Sequence, residues 1–303
     1  MGIKTISRDV FLSAMAIVMF TSISTGQIKY MNHDIVVGDV KVRTLQDAQM
    51  YLKLSLLSGI DQKDALSLTG GVDSAWTPVN AYLVQTPNHI VLVDAGVGKY
   101  PGEDSGYLLE QLKNAGVDPS KIDLILITHF HFDHIGGLVS PDGKRLFPNA
   151  IVRASQTESD FWMQDSSLIP ANLRQRAAKI KAILTPYLSA NSYKTFQPSE
   201  DLGDGIKALS AFGHTPGHTV FSFSSKGSEL WCIGDLIHFG AVQFKHPSAG
   251  VAFDSDGKMA IATRIDFFSR AAISHAIIAA AHLPEMVRIE RNGDALVTIP
   301  VEK

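Results

Sequence analysis

The chain has 303 residues, 45% of them hydrophobic and 19% charged, with 27 basic against 30 acidic side chains and a net charge of −3. A chain of this length and apolarity buries about three-quarters of its unfolded surface, which excludes disorder over most of it, and charges this balanced exclude the basic footprint that a nucleic-acid binder needs. The one cysteine, Cys232, excludes an intramolecular disulfide and leaves packing, metal or association to stabilise the fold.

At the N-terminus, Lys4 and Arg8 precede an apolar run from Val10 to Phe20, and small polar residues follow from Thr21 to Gly26. That layout predicts a secretory signal peptide over residues 1–26, a periplasmic or secreted destination, and a single domain over 27–303. The apolar run is about half as long as a bilayer-spanning helix requires, so no stable membrane span is expected. Ala81 to Gln85 and His89 to Asp94 are short runs rich in β-branched residues around a Pro-Asn turn, which predicts an antiparallel pair. A helix follows over Tyr107 to Ala115, ended by Gly116. Ile122 to Ile127 is a continuous apolar strand, buried on both faces, that leads into a histidine cluster. Further strands fit Ala150 to Arg153, Ile206 to Ala211, Thr219 to Ser224, Glu229 to Ile233 and Ala295 to Pro300. Helices fit Thr157 to Gln164, Ala171 to Ala190 and Ile261 to Ala272.

The cluster reads Thr128-His129-Phe130-His131-Phe132-Asp133-His134-Ile135-Gly136-Gly137. On extended backbone His129 and His131 project to one side and can share a metal. Asp133 and His134 come after the chain turns and address a neighbouring position, while Gly136 and Gly137 permit the tight turn and close packing. Two metal positions of about four ligands each need more groups than this. The rest of the chain supplies them at strand and loop ends: Gly213-His214-Thr215-Pro216-Gly217-His218-Thr219, Ile233-Gly234-Asp235, and Ala281-His282-Leu283-Pro284.

These four pieces, in this order, resemble the metallo-β-lactamase superfamily, and the resemblance runs from about Val79 to the C-terminus. Within it, Phe147-Pro-Asn-Ala-Ile-Val-Arg-Ala154, Ser159-Asp-Phe-Trp162, Gly205-Ile-Lys-Ala-Leu209, His214-Thr-Pro-Gly-His-Thr219 and Ala241-Val-Gln-Phe244 are similar to the methyl parathion hydrolase branch. The resemblance implies an α/β fold, a four-layer αβ/βα sandwich, with two divalent metal ions at one edge between the sheets and a homodimeric assembly. Zinc is the first candidate for a set of imidazoles and carboxylates, ahead of iron, manganese or cobalt. Carried over by position, His129, His131 and His218 hold one ion, Asp133, His134 and His282 hold the other, and Asp235 bridges them. Asp94 matches a carboxylate that orients a ligand histidine. Trp162 matches a pocket position, and His238 is a candidate for facing substrate or passing a proton. Pro216 and Gly217 forbid the helix that would align His214 with His218, so His214 is read as structural.

The implied chemistry is hydrolysis in which a hydroxide shared by two ions attacks a neutral ester, with Asp133 or Asp235 moving protons. Organophosphate triesters, aryl esters and lactones are the substrate candidates, because a near-neutral chain with aromatic residues around the cluster suits a small apolar substrate. The competing readings are an N-acyl homoserine lactonase and a mononuclear iron sulfur dioxygenase. Cys232, three residues before Asp235, does not match the cysteine ligand of the lactam-cleaving branch, which disfavours antibiotic hydrolysis.

Overall fold

In the strand Ser74–Gln85, Tyr82 and Val84 face one side, Ala81 and Leu83 the other, and all four are buried. Side chains alternate across a strand, so apolar residues at every position require cover on both faces. That requirement sets the layering. The computed structural model describes residues 33–99, 104–293 and 295–302; the signal-peptide reading over 1–26 lies outside them.

Seven strands form the first sheet, in the spatial order Asp34–Val37, Val40–Lys53, Ser74–Gln85, Ile90–Val93, Leu124–Leu126, Ile151–Ser155 and Tyr193–Phe196. Seven more form the second, in the order Ala295–Pro300, Val287–Asn292, Ile277–Ala279, Ser228–Cys232, Thr219–Ser225, Ile206–Ser210 and Asp201–Gly203. The sheets face each other through Val37, Val42, Tyr82, Val84, Val91, Val93 and Leu126 on one side and Ile206, Ala208, Phe221, Phe223, Leu230 and Ile277 on the other. The outer face of the first sheet, with Leu45, Leu83 and Leu92, is covered by the helices Leu108–Asn114 and Arg174–Ser189, the latter through Ala177, Ile180, Leu184 and Tyr187. The outer face of the second, with Val220, Trp231 and Ile278, is covered by Phe267, Phe268, Ala271 and Ala272 of the helix Gly257–Ser274. The result is the four-layer αβ/βα sandwich expected from the sequence.

The antiparallel pair is present, with Tyr82 opposite Val93 and Gln85 opposite Ile90. From Ile90–Val93 to Tyr193–Phe196 the first sheet is parallel, so the buried strand Leu124–Leu126 sits in its interior and delivers the histidine cluster at its C-terminal end. In the second sheet the parallel neighbours Ser228–Cys232 and Ile277–Ala279 end side by side, which brings Asp235 and His282 to the same rim. Among the described residues no helix is long and apolar enough to cross a membrane.

Candidate metal centre

Beyond Leu126 the chain bends at Thr128 and runs to His131, whose backbone is extended at φ −66° and ψ 151° and opens the short helix Phe132–Ile135. His129 and His131 therefore face the rim, while Phe130 between them is fully buried in the core under the outer helices. The helical turn then places Asp133 and His134 beside them. This turn presses on the segment after Asp94: a Cβ on Gly136 would stand 2.0 Å from the carbonyl oxygen of Val97, and one on Gly137 would stand 2.0 Å from that of Ala95. No side chain fits there, which accounts for the glycine pair seen in the sequence.

Asp235 stands at the middle of the cluster. Its Oδ2 lies 3.2 Å from Nε2 of His214, 3.1 Å from Nε2 of His238 and 3.6 Å from Nε2 of His129. Its Oδ1 lies 3.0 Å from Nε2 of His134 and 3.2 Å from Nε2 of His282. On the Oδ2 side His131 completes a group, its Nδ1 3.0 Å from Nε2 of His214. On the Oδ1 side Asp133 completes another, its Oδ2 3.5 Å from Nε2 of His282 and 3.7 Å from that of His134. The two oxygens of one carboxylate thus face two sets of donors, His129, His131 and His214, and Asp133, His134 and His282, with His238 beside Oδ2 and grouped with His282 and Asp235.

The opposite ring nitrogens are held from behind. Asp94 Oδ2 takes Nδ1 of His134 at 2.8 Å, Asp254 Oδ1 takes Nδ1 of His214 at 2.9 Å, and the Pro78 carbonyl takes Nδ1 of His282 at 2.9 Å. An acceptor behind each ring fixes the tautomer with a bare Nε2 aimed inward, as a metal-binding imidazole requires. Asp94 does more, accepting the Thr128 amide and hydroxyl, each at 2.8 Å. It does so from the left-handed backbone region, φ 59°, a conformation that a non-glycine residue holds only where its surroundings enforce it. Nε2 of His129, Nε2 of His134 and Oδ1 of Asp235 are buried and make no hydrogen bond. Buried polar atoms are almost always paired. Orphaned atoms converging from three elements, all of types that bind borderline divalent ions, fit cations between them.

The charges agree. Burial opposes the cationic form of His134, but Asp235, Asp94 and Asp133 outweigh it and hold its imidazole well above the ordinary histidine range. Burial is likewise overcome at His214, where hydrogen bonds to Asp235 and Asp254 raise it to about 9. Burial raises Asp235, yet His134, His282, His238 and His129 pull it well below the carboxylate range. Burial lowers His129 and His131, neutral donors ready for a cation. The half-buried edges of the centre belong to His131 and Asp133, and the Arg176 guanidinium donates to His131 Nε2 at 3.2 Å.

Of the residues singled out from sequence, the structure gathers His129, His131, Asp133, His134, Asp235 and His282 around one point, with Asp94 directly behind. His218 lies against His129, with ring centres 5.1 Å apart; its Nε2 accepts the Asp235 amide at 3.0 Å, and its Nδ1 is buried without a hydrogen bond. His214 Nε2 joins the group on the Oδ2 side of Asp235. Trp162 is 1% exposed, packed in the core under the outer helices, with its indole N–H donated to Glu158 Oε1 at 2.9 Å. His238 lies inside the cluster wall, stacked on His282 with ring centres 4.9 Å apart and against Phe253 at 5.5 Å. Asp254 and Glu158 were not anticipated. Asp254 sits in Phe253-Asp-Ser-Asp256, which reads as a polar turn, and Glu158 opens an ordinary helix.

Residues 74–289 match the family model of the metallo-β-lactamase superfamily. Among solved structures, the chain is similar to a hydrolase of the β-lactamase superfamily, AbOPH, with 30% identity and a TM-score of 0.83 over 90% of this chain and 98% of that one. It is also similar to AidC, a dizinc quorum-quenching lactonase solved with a product, with 28% identity and a TM-score of 0.80 over 90% of this chain and 98% of the other. Over 151 residues it is 29% identical to the uncharacterised protein YobT of Bacillus subtilis, matching 50% of this chain and 59% of that protein's length.

Proposed function

Because the chain belongs to the metallo-β-lactamase superfamily, we propose that it is a dinuclear metal-dependent hydrolase of small neutral esters, lactones foremost, with zinc in both positions. One observation carries this reading: the two oxygens of Asp235 each face a separate group of imidazole and carboxylate donors whose outward nitrogens are fixed from behind. His129, His131 and His214 with Asp235 Oδ2 would hold one ion, and Asp133, His134 and His282 with Asp235 Oδ1 the other. When bound, such a pair acidifies water to near neutrality and polarises an ester oxygen.

The remaining work falls to side chains. Both oxygens of Asp235 face histidine nitrogens within 3.2 Å and its side chain is 3% exposed, so Asp235 holds position and does not shuttle protons. Asp133, with 26% of its side chain exposed, is the carboxylate of the cluster that reaches solvent, and it is the group placed to receive a proton and return it to a departing alkoxide. Phe253, half buried against His238, gives this edge an apolar wall suited to an uncharged substrate. The lactone preference draws on the likeness to AidC; a phosphotriester is the second reading, drawn from the resemblance of sequence segments to the methyl parathion hydrolase branch. Secretion and a homodimer belong to the same proposal.

Elemental analysis of the purified chain beside a panel of acyl lactones, aryl esters and dialkyl aryl phosphates tests it. The expected result is two zinc ions per chain and turnover of lactones that Asp235→Ala abolishes. One iron per chain with no ester turnover would overturn it in favour of an oxidative mononuclear enzyme.

A further inference from the structure

Glu158 is a fully buried carboxylate with no cationic partner among the described contacts, and it accepts four hydrogen bonds. Its Oε1 takes the Phe130 amide at 3.0 Å and the Trp162 indole N–H at 2.9 Å. Its Oε2 takes the Thr215 hydroxyl and the Gly217 amide, each at 2.8 Å. Phe130 is the residue between His129 and His131, and Thr215 follows His214. A single side chain therefore ties together the two loops that carry the three imidazoles on the Oδ2 side of Asp235.

The position makes this unusual. Glu158 is the third residue of the helix Gln156–Met163, after Ser155 at its start. A glutamate there commonly turns back to satisfy the helix's own first amide. Here it leaves the helix and spans to two other segments. The helix is also seated hard against the second loop: a Cβ on Gly217 would stand 2.2 Å from the Glu158 amide nitrogen. A buried anion is costly unless several donors converge on it, and hydrogen bonds to an ionised oxygen are about twice as strong as neutral ones. Cheaper ways to stabilise a helix start exist, so the cost is accounted for by what the carboxylate holds apart and together.

We propose that Glu158 is a positioning residue for the first metal group, fixing the separation of the 128–131 and 213–217 loops so that His129, His131 and His214 address one ion. The proposal rests on the dinuclear reading above. It makes a distinction among substitutions that general loss of packing does not make. Three of the four donors, the Phe130 and Gly217 amides and the Trp162 indole, cannot accept a hydrogen bond. Glutamine offers one oxygen and one NH2, so it can serve one loop but sets N–H against N–H at the other. Glu158→Gln should thus loosen one loop, and Glu158→Ala both. Trp162→Phe keeps both loop contacts and removes only the contact within the helix.

Zinc affinity of the full-length protein is read by chelator competition, alongside the visible spectrum of the cobalt-loaded protein and the melting temperature of the metal-free one. The wild type should bind two ions. Glu158→Gln should weaken one of them about 10-fold and Glu158→Ala about 100-fold, the range for groups that orient metal ligands, with a change in one cobalt band set. Trp162→Phe should lower the melting temperature and leave both affinities within about 2-fold. Two zinc ions at unchanged affinity in Glu158→Gln would overturn the positioning role. So would equal weakening by Trp162→Phe, which would route the effect through helix stability. A wild type that binds no zinc would instead overturn the dinuclear reading itself.

Discussion

His214 and His218 are four residues apart and both fully buried, yet the proposed centre gives them different tasks, and substitution separates them. His214→Ala removes one imidazole from the group on the Oδ2 side and leaves Asp254, whose Oδ1 lies 2.9 Å from His214 Nδ1, without that partner. Losing an outer partner of a metal ligand already costs about 10- to 100-fold in affinity, so loss of the ligand itself should weaken that ion by at least about 100-fold. His218→Ala strips the acceptor from the Asp235 amide, 3.0 Å away, and leaves a buried N–H unpaired. That costs about 1–3 kcal/mol, or several degrees of melting temperature at roughly 2–4 °C per kcal/mol for a chain somewhat smaller than this one. Because the ring supports Asp235 from behind, affinity should fall no more than about 10-fold, with two ions still bound. His218→Gln, which can present an oxygen to the same amide, should recover part of the stability; His214→Gln should recover no metal. Inductively coupled plasma analysis after dialysis against a weak chelator, paired with thermal melts, reads both quantities. A His218→Ala protein that loses one zinc beside a His214→Ala protein that keeps two would refute the assignment.

Asp254→Asn should lower the affinity of the same ion about 10- to 100-fold with little change in melting temperature, since the amide can present its NH2 to His214 Nδ1 and favour the wrong tautomer; zinc competition assays measure it. Gly136→Ala puts a methyl group 2.0 Å from the Val97 carbonyl and should destabilise the fold by about 3 kcal/mol, the upper part of the range for overpacking, as read by denaturant unfolding. Removing metal by chelation should lower the melting temperature reversibly, by the equivalent of about 4 kcal/mol for each ion when free zinc had been held at a thousand times its dissociation constant; a melting temperature indifferent to chelation would count against a metal bound in the folded state.

Local pattern made much of the scaffold legible. The strand Leu124–Leu126 is short and apolar, the cluster after it is dense, and its two glycines announce a close contact. The fourteen-residue strand Val40–Lys53 was not legible, although it runs beside the whole of Ser74–Gln85. Its alternation breaks at a bulge between Gln46 and Ala48, and the residue left between them is the buried Asp47. A buried aspartate in a strand reads from sequence as a surface position. Its reason is tertiary: Asp47 accepts the amides of Val97, Gly98 and Leu108, and so holds the segment that leaves Asp94 and packs on Gly136. Asp254 and Glu158 escape for the same reason, since Asp254 meets His214 40 residues away and Glu158 meets its two loops 28 or more residues away.

The proposed placing of His214 in the metal group rests on a different kind of signal. Pro216 and Gly217 prevent a helix from aligning His214 with His218. The proposed centre needs no such alignment, because His214 Nε2 lies 3.2 Å from Asp235 Oδ2 while His218 Nε2 takes the Asp235 amide. His218 immediately precedes the strand Thr219–Ser225, where the Thr219 amide is already bonded to the Thr128 carbonyl at 2.9 Å, so its ring is held beneath the rim. His214 lies farther out on the loop, where Asp254 fixes its ring and Glu158 takes the Thr215 hydroxyl and the Gly217 amide. In the proposed centre the residue that reaches the shared cation is therefore the one that regular structure constrains less, and its precision comes from buried carboxylates supplied by other segments.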